Sequence, residues 1–155
     1  MKRVFLVVFA LFAIASAEAQ NKTANSSTYK NAIGVKVWDG AGVSFKHFFD
    51  TKNAGELTGY FWKHGTRITG LYEIHSDIAN AGGLKWYIGP GAHIGLYNTD
   101  YGDGAYFGID GVLGLDYKIK KAPLNISLDW QPSFEFGDGR GFEGAWGGLG
   151  IRYTF

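Results

Sequence analysis

Residues 124–136 read LNISLDWQPSFEF, and their side chains divide into two rows. Leu124, Ile126, Leu128, Trp130, Pro132, Phe134 and Phe136 form an apolar row; Asn125, Ser127, Asp129, Gln131, Ser133 and Glu135 form a polar one. Successive side chains of a β-strand point to opposite faces, so this unbroken alternation predicts a strand with one apolar and one polar face. Thirteen residues is long beside the ~5–6 of an ordinary soluble strand. It is enough to cross a bilayer, for which about 9–11 tilted residues suffice.

The same pattern extends upstream. Over 105–119, Ala105, Phe107, Ile109, Gly111, Leu113, Leu115, Tyr117 and Ile119 alternate with Tyr106, Gly108, Asp110, Val112, Gly114, Asp116 and Lys118. Over 84–97, Leu84, Trp86, Ile88, Pro90, Ala92, Ile94 and Leu96 alternate with Lys85, Tyr87, Gly89, Gly91, His93, Gly95 and Tyr97. Eight strands are expected, at about 30–38, 41–49, 56–63, 66–76, 83–97, 104–119, 124–137 and 142–155. The first four are noisier, and 56–63 reads with either face inward. The breaks DGAG, DTKNAG, KHGT, SDIANAGG, NTDYGDG, KKAP and GDGRG each carry the Gly, Asn, Asp or Pro that turns require. All are short, which favours antiparallel neighbours, because parallel strands need long crossovers. Pro90 and Pro132 lie within strands, and a local bulge is expected at each.

The chain opens MKRVFLVVFALFAIASAEAQ. Lys2 and Arg3 precede a twelve-residue apolar run, Val4 to Ala15, and small residues at Ala15, Ala17 and Ala19 offer cleavage sites. Twelve apolar residues fall short of the roughly 20 a spanning helix needs. Residues 1–19 are therefore expected to be a signal peptide, 20–29 a flexible polar tail and 30–155 one β-domain. Past the signal peptide, thirteen basic and thirteen acidic residues balance, so no basic field exists to attract nucleic acid. Cysteine is absent, which removes disulfides and thiolate metal ligands.

Alternation alone does not say which row faces inward. A soluble barrel buries the apolar row; a membrane barrel turns it outward around a polar lumen. Strand length favours the second arrangement. So do the glycines, because Gly89, Gly91, Gly95, Gly108, Gly114, Gly148 and Gly150 sit mainly in the polar row. In a narrow lumen, small residues make room for large neighbours such as Tyr87, Tyr97 and Trp146. Aromatics also gather near strand ends: Trp38, Phe48, Phe49, Trp62, Trp86, Phe136, Phe142, Tyr153 and Phe155. Two interfacial girdles would have this distribution.

The chain closes GGLGIRYTF, with Leu149, Ile151, Tyr153 and Phe155 in one parity. This ending resembles the C-terminal aromatic signal of small eight-stranded bacterial outer-membrane β-barrels, the outer membrane protein A/X type. GIDGVLGLDYKI and LNISLDWQPSFEF resemble strands of the same class. The resemblance implies an eight-stranded antiparallel up-and-down transmembrane β-barrel in the outer membrane of a Gram-negative-type bacterium. It implies outer-membrane lipids and the barrel-assembly machinery as partners, the latter reading Tyr153 and Phe155. It implies no particular activity.

With the polar row inward, Lys36, Lys46, Lys85, Lys118 and Arg152 face Glu73, Asp110, Asp116, Asp129 and Glu135, joined by His75, His93 and Gln131. Buried charges are costly unless paired, so balanced signs fit a filled lumen. One ion-pair network is expected to hold most of Lys36, Lys46, Glu73, His75, Lys85, Asp110, Asp116, Asp129, Glu135 and Arg152. Hairpin register sets Lys85 opposite Asp116. No serine is convincingly placed beside His47, His64, His75 or His93, and Glu73 with His75 supplies only two ligands of a metal set. Asp100 and Asp103 are at most a weak cation turn. The expected role is structural or interactive, without catalysis or cofactor, in a monomer whose lumen side chains fill. Alternatives are a narrow ion or small-solute pore, a lipid A-modifying enzyme, and a soluble lipocalin-like carrier with the rows reversed.

Overall fold

A computed structural model describes residues 29–63, 65–98, 104–137 and 140–155. The expected signal peptide, residues 20–28 of the tail, His64, and the turn residues Asp100 and Asp103 lie outside the described residues.

The described chain is all β. Its strands are β1 (Asn31–Val37), β2 (Ala41–Phe48), β3 (Asn53–Trp62), β4 (Gly65–Asp77), β5 (Leu84–Tyr97), β6 (Gly104–Lys118), β7 (Leu124–Trp130), β8 (Ser133–Phe136), β9 (Phe142–Glu143) and β10 (Gly147–Thr154). β7 and β8 continue one stave along β6, and β9 and β10 continue the next, so the ten strands make eight staves. Each pairs antiparallel with its sequence neighbour, as short turns demand. β10 then pairs with β1, Ile33 opposite Tyr153, and the barrel closes. The last residue completes that seam: Asn31 N–H donates to Phe155 O and Phe155 N–H to Asn31 O, both at 2.9 Å.

Of the bulges expected at the two prolines, the one at Pro90 is absent and the one at Pro132 lies on the facing stave. Opposite Pro90 the β4–β5 ladder is interrupted at Tyr72 and Glu73, yet the register is the same on both sides, Leu71 with Gly91 and Ile74 with Ile88. A missing N–H removes hydrogen bonds here without adding a residue. Pro132 likewise leaves β7 and β8 in one register against β6, and its carbonyl accepts from Gly111 N–H at 2.8 Å. The extra residue lies across the ladder. Trp130 pairs with Gly147 and Ser133 with Glu143, so Gly144, Ala145 and Trp146 oppose only Gln131 and Pro132. This is a β-bulge. Its freed carbonyls are taken by tryptophans from the flanking staves: Trp38 Nε1 donates to Ala145 O at 2.8 Å and Trp130 Nε1 to Gly144 O at 2.7 Å.

The barrel is inverted relative to a soluble domain. Ile33, Val35, Val43, Leu57, Phe61, Ile88, Phe107, Leu128 and Ile151 are exposed, Phe107 at 62%. Lys36, Lys46, Glu73 and Arg152 are fully buried. Among the described residues, the outward row of β1–β8 and of β10 carries no Asp, Glu, Lys or Arg. Strand β3 begins at Asn53, earlier than expected, and turns Ala54, Glu56, Thr58 and Tyr60 inward.

Candidate functional site

The lumen is packed with charge, and Glu56 of β3 is its hub. Its Oε1 accepts from Ser44 Oγ at 2.9 Å, Thr58 Oγ1 at 3.0 Å, Lys36 Nζ at 3.1 Å and Arg152 Nη2 at 2.6 Å. Its Oε2 lies 3.3 Å from Lys46 Nζ. Three cations from β1, β2 and β10 thus converge on one carboxylate. Each is shared further. Lys36 meets Asp129 at 2.7 Å, and Lys46 meets Glu73 at 2.8 Å and Asp116 at 3.3 Å. Arg152 also donates to Ser44 at 2.7 Å, Ser127 at 2.7 Å and Asn125 at 3.2 Å. The outer carboxylates have neutral donors too: Tyr87 and Gln131 on Asp129, each at 2.6 Å, and Asn125 on Asp116 at 2.7 Å. His75 Nε2 lies 2.8 Å from Glu73. Charge-assisted bonds of this kind offset the desolvation of the ions.

Close approach in the lumen requires glycine at two points. A Cβ on Gly114 would stand 2.5 Å from the Tyr87 ring and 2.7 Å from Asp129 Cβ. A Cβ on Gly148 would strike Lys36 and come within 2.7 Å of the Tyr60 hydroxyl. The glycines of the inward row therefore let large polar side chains cross a narrow interior.

A second cluster lies toward the end of the barrel that carries the β3–β4 and β5–β6 turns. Arg67 pairs with Asp110, whose other oxygen lies 2.8 Å from His93 Nδ1. His93 Nε2 lies 3.0 Å from Glu135, which also accepts from Tyr97 and faces Arg140 at 3.6 Å. Arg67 stacks over Trp146 at 4.9 Å, and Arg140 over Tyr106 at 4.0 Å.

The ten side chains expected to form one network therefore part three ways. Lys36, Lys46, Glu73, His75, Asp116, Asp129 and Arg152 belong to the Glu56 network. Asp110 and Glu135 belong to the second cluster. Lys85 stands apart: it pairs in register with Asp116, but its ammonium turns to the mouth, 3.3 Å from Thr51 O and 3.6 Å from Asp77. Asp116 is already held by Lys46, Asn125 and the Tyr29 hydroxyl, the last at 3.0 Å. Burial pushes the Tyr29 phenol well above its ordinary range. Lys118, also expected in the lumen, bonds carbonyls of its own turn, Ile119 O at 3.1 Å and Ala122 O at 2.5 Å. A strand's last inward residue faces the opening rather than the interior.

Sequence reasoning missed Glu56 and Arg67. The parity of Glu56, Thr58 and Tyr60 against Leu57, Gly59 and Phe61 carried the signal for the first, and Arg67, Thr69, Glu73 and His75 carried it for the second, with Leu71 interrupting the polar row. Of the histidines, His75 and His93 bond carboxylates, and His47 Nδ1 lies 2.7 Å from Asn31 Oδ1. Among the described residues no group of three or more His, Asp or Glu side chains has the geometry of a metal site. No protein-family model, curated protein or solved structure matches the chain.

Proposed function

We propose that this chain is a small outer-membrane β-barrel whose lumen is a side-chain plug, serving a structural or interaction role in the membrane rather than catalysis or transport. One observation carries the reading: the burial is inside out. Among the described residues, an outward row of Ile, Val, Leu, Phe and Trp that carries no charge in β1–β8 and β10, around an interior of Lys36, Lys46, Glu56 and Arg152, is unstable in water and stable in hydrocarbon. A closed barrel also satisfies its backbone hydrogen bonds internally, which lipid demands. Tyr153 and Phe155 are the residues through which the assembly machinery would recognise the chain, and both lie at the seam where β10 meets β1.

The test is heat-modifiable migration. Chain folded in detergent or phospholipid should run at a different apparent mass unheated than after boiling, and should require detergent to stay dispersed. A chain that is monodisperse without detergent would overturn the reading in favour of a soluble carrier.

A further inference from the structure

The end of the barrel that holds Tyr29 and Phe155 opens into a cavity of about 450 Å³, within the ~300–1,000 Å³ of small-molecule sites. Lys30, Lys85 and Lys118 line it, with Tyr29, Phe48 and Phe49 as an aromatic wall. Asp50 and Asp116 also line it, two carboxylates against three ammonium groups. Asp50 accepts from Lys52 N–H at 2.7 Å, Asn53 N–H at 2.8 Å and Asn53 Nδ2 at 2.7 Å, hydrogen bonds that hold its carboxyl below the usual range. Asp116 serves Lys46, Tyr29 and Asn125. Asp50 therefore stays ionised, while the charge of Asp116 is shared with Lys46, so three lysines outnumber the carboxylate charge left at the mouth. Lys118 donates to carbonyl oxygens alone, and Lys85 reaches a carbonyl and, more distantly at 3.6 Å, an Asp77 that is 85% exposed. An incoming group therefore meets positive charge over an aromatic wall.

The cavity is continuous with the apolar exterior. Phe49 lines it while lying 61% exposed, and stacks on Tyr72 of the outward row of β4 with centroids 6.2 Å apart. Lys52, Lys120 and Lys121 are exposed on the turns around the same end. We propose that this mouth seats the headgroup of an anionic phospholipid, its phosphodiester against Lys30, Lys85 and Lys118 and its acyl chains on the outer wall beside Phe49 and Tyr72. The inference rests on the membrane reading above. Continuity with the apolar wall selects a lipid over a free anion or an acidic peptide, neither of which would use that wall.

The experiment is native mass spectrometry of the folded chain in non-ionic detergent, with phosphatidylglycerol and phosphatidylcholine of identical acyl chains in competition. One phosphatidylglycerol per chain should be retained at least about tenfold over phosphatidylcholine at low salt, the preference shrinking as salt is added. Replacing all three lysines, K30Q, K85Q and K118Q together, should abolish the preference while unheated gel migration stays that of the native barrel. Lys63→Gln, in the β3–β4 turn at the opposite end, should leave it intact. Equal retention of the two lipids, a preference that survives the triple replacement, or tighter retention of glycerol 3-phosphate or an acidic peptide than of the lipid would each overturn the proposal. A detergent-requiring barrel that fails to discriminate defeats the lipid site alone; a chain dispersed without detergent defeats the membrane reading as well.

Discussion

At the scale of single residues, Glu56 has the greatest reach. Removing its charge leaves Lys36, Lys46 and Arg152 sharing fewer carboxylates inside a lumen from which they cannot turn to water. Loss of one partner from a buried pair costs about 3–5 kcal/mol. Glu56→Gln, nearly isosteric, is accordingly expected to lower unfolding stability in phospholipid vesicles by about that much, read from the urea midpoint of tryptophan fluorescence. A change under ~1 kcal/mol would mean that the remaining carboxylates reabsorb the cations and that the hub description is wrong. Lys85 carries the complementary lesson. Its register with Asp116 was legible in the sequence, yet its salt bridge was not, because a lysine stem spans enough distance to choose between lumen and mouth. Facing is a backbone property of period two; pairing depends on which neighbours have already filled each oxygen.

At the scale of elements, the bulge at Gly144–Trp146 explains how a stave holding Pro132 beside it stays closed. Two carbonyls leave the ladder, and Trp38 and Trp130 cap them from either side. On the proposed membrane reading an uncapped carbonyl would have no water to turn to, so these indole N–H groups would serve the backbone as well as the surface. Trp38→Phe and Trp130→Phe each keep an aromatic ring, though a smaller one, and delete the donor. Each is expected to destabilise the folded barrel by about 1–2 kcal/mol, and the same Phe replacement at Trp86, whose indole caps no bulge carbonyl, should cost less. Equal costs at the three sites would show that the rings, not the hydrogen bonds, matter. The alternation of 124–136 foretold a strand across Pro132, and the chain does continue there in register. The bulge at Pro132 was legible, but that its extra residue lies on the facing stave was not, because it falls in EGAWGG, residues 143–148, where glycine and alanine erase the contrast between rows.

At the scale of the whole molecule, closure and filling together decide what the barrel permits. The eight staves leave an interior that side chains occupy, and here they occupy it with ion pairs: Lys46 of β2 reaches Asp116 of β6 on the opposite wall, and Lys36 of β1 reaches Asp129 of β7 past the β10 stave. Planar bilayers containing the folded chain are therefore expected to stay silent at moderate voltage. A steady conductance altered by Asp116→Asn would instead favour the narrow pore. The sequence by itself determined the all-β class, the approximate strands and the division of the later strands into polar and apolar rows, because period two and turn residues are local properties. It also held most of the lumenal charges, as their parity followed from the strands that carry them. Only the tertiary structure decided that the polar row is the inner one, that Glu56 gathers three cations, that Asp110 and Glu135 belong to a separate cluster, and that Lys85 and Lys118 stand at the mouth. Those depend on how far apart the walls lie and on what each side chain finds across the lumen, and neither quantity exists until β1 and β10 have met.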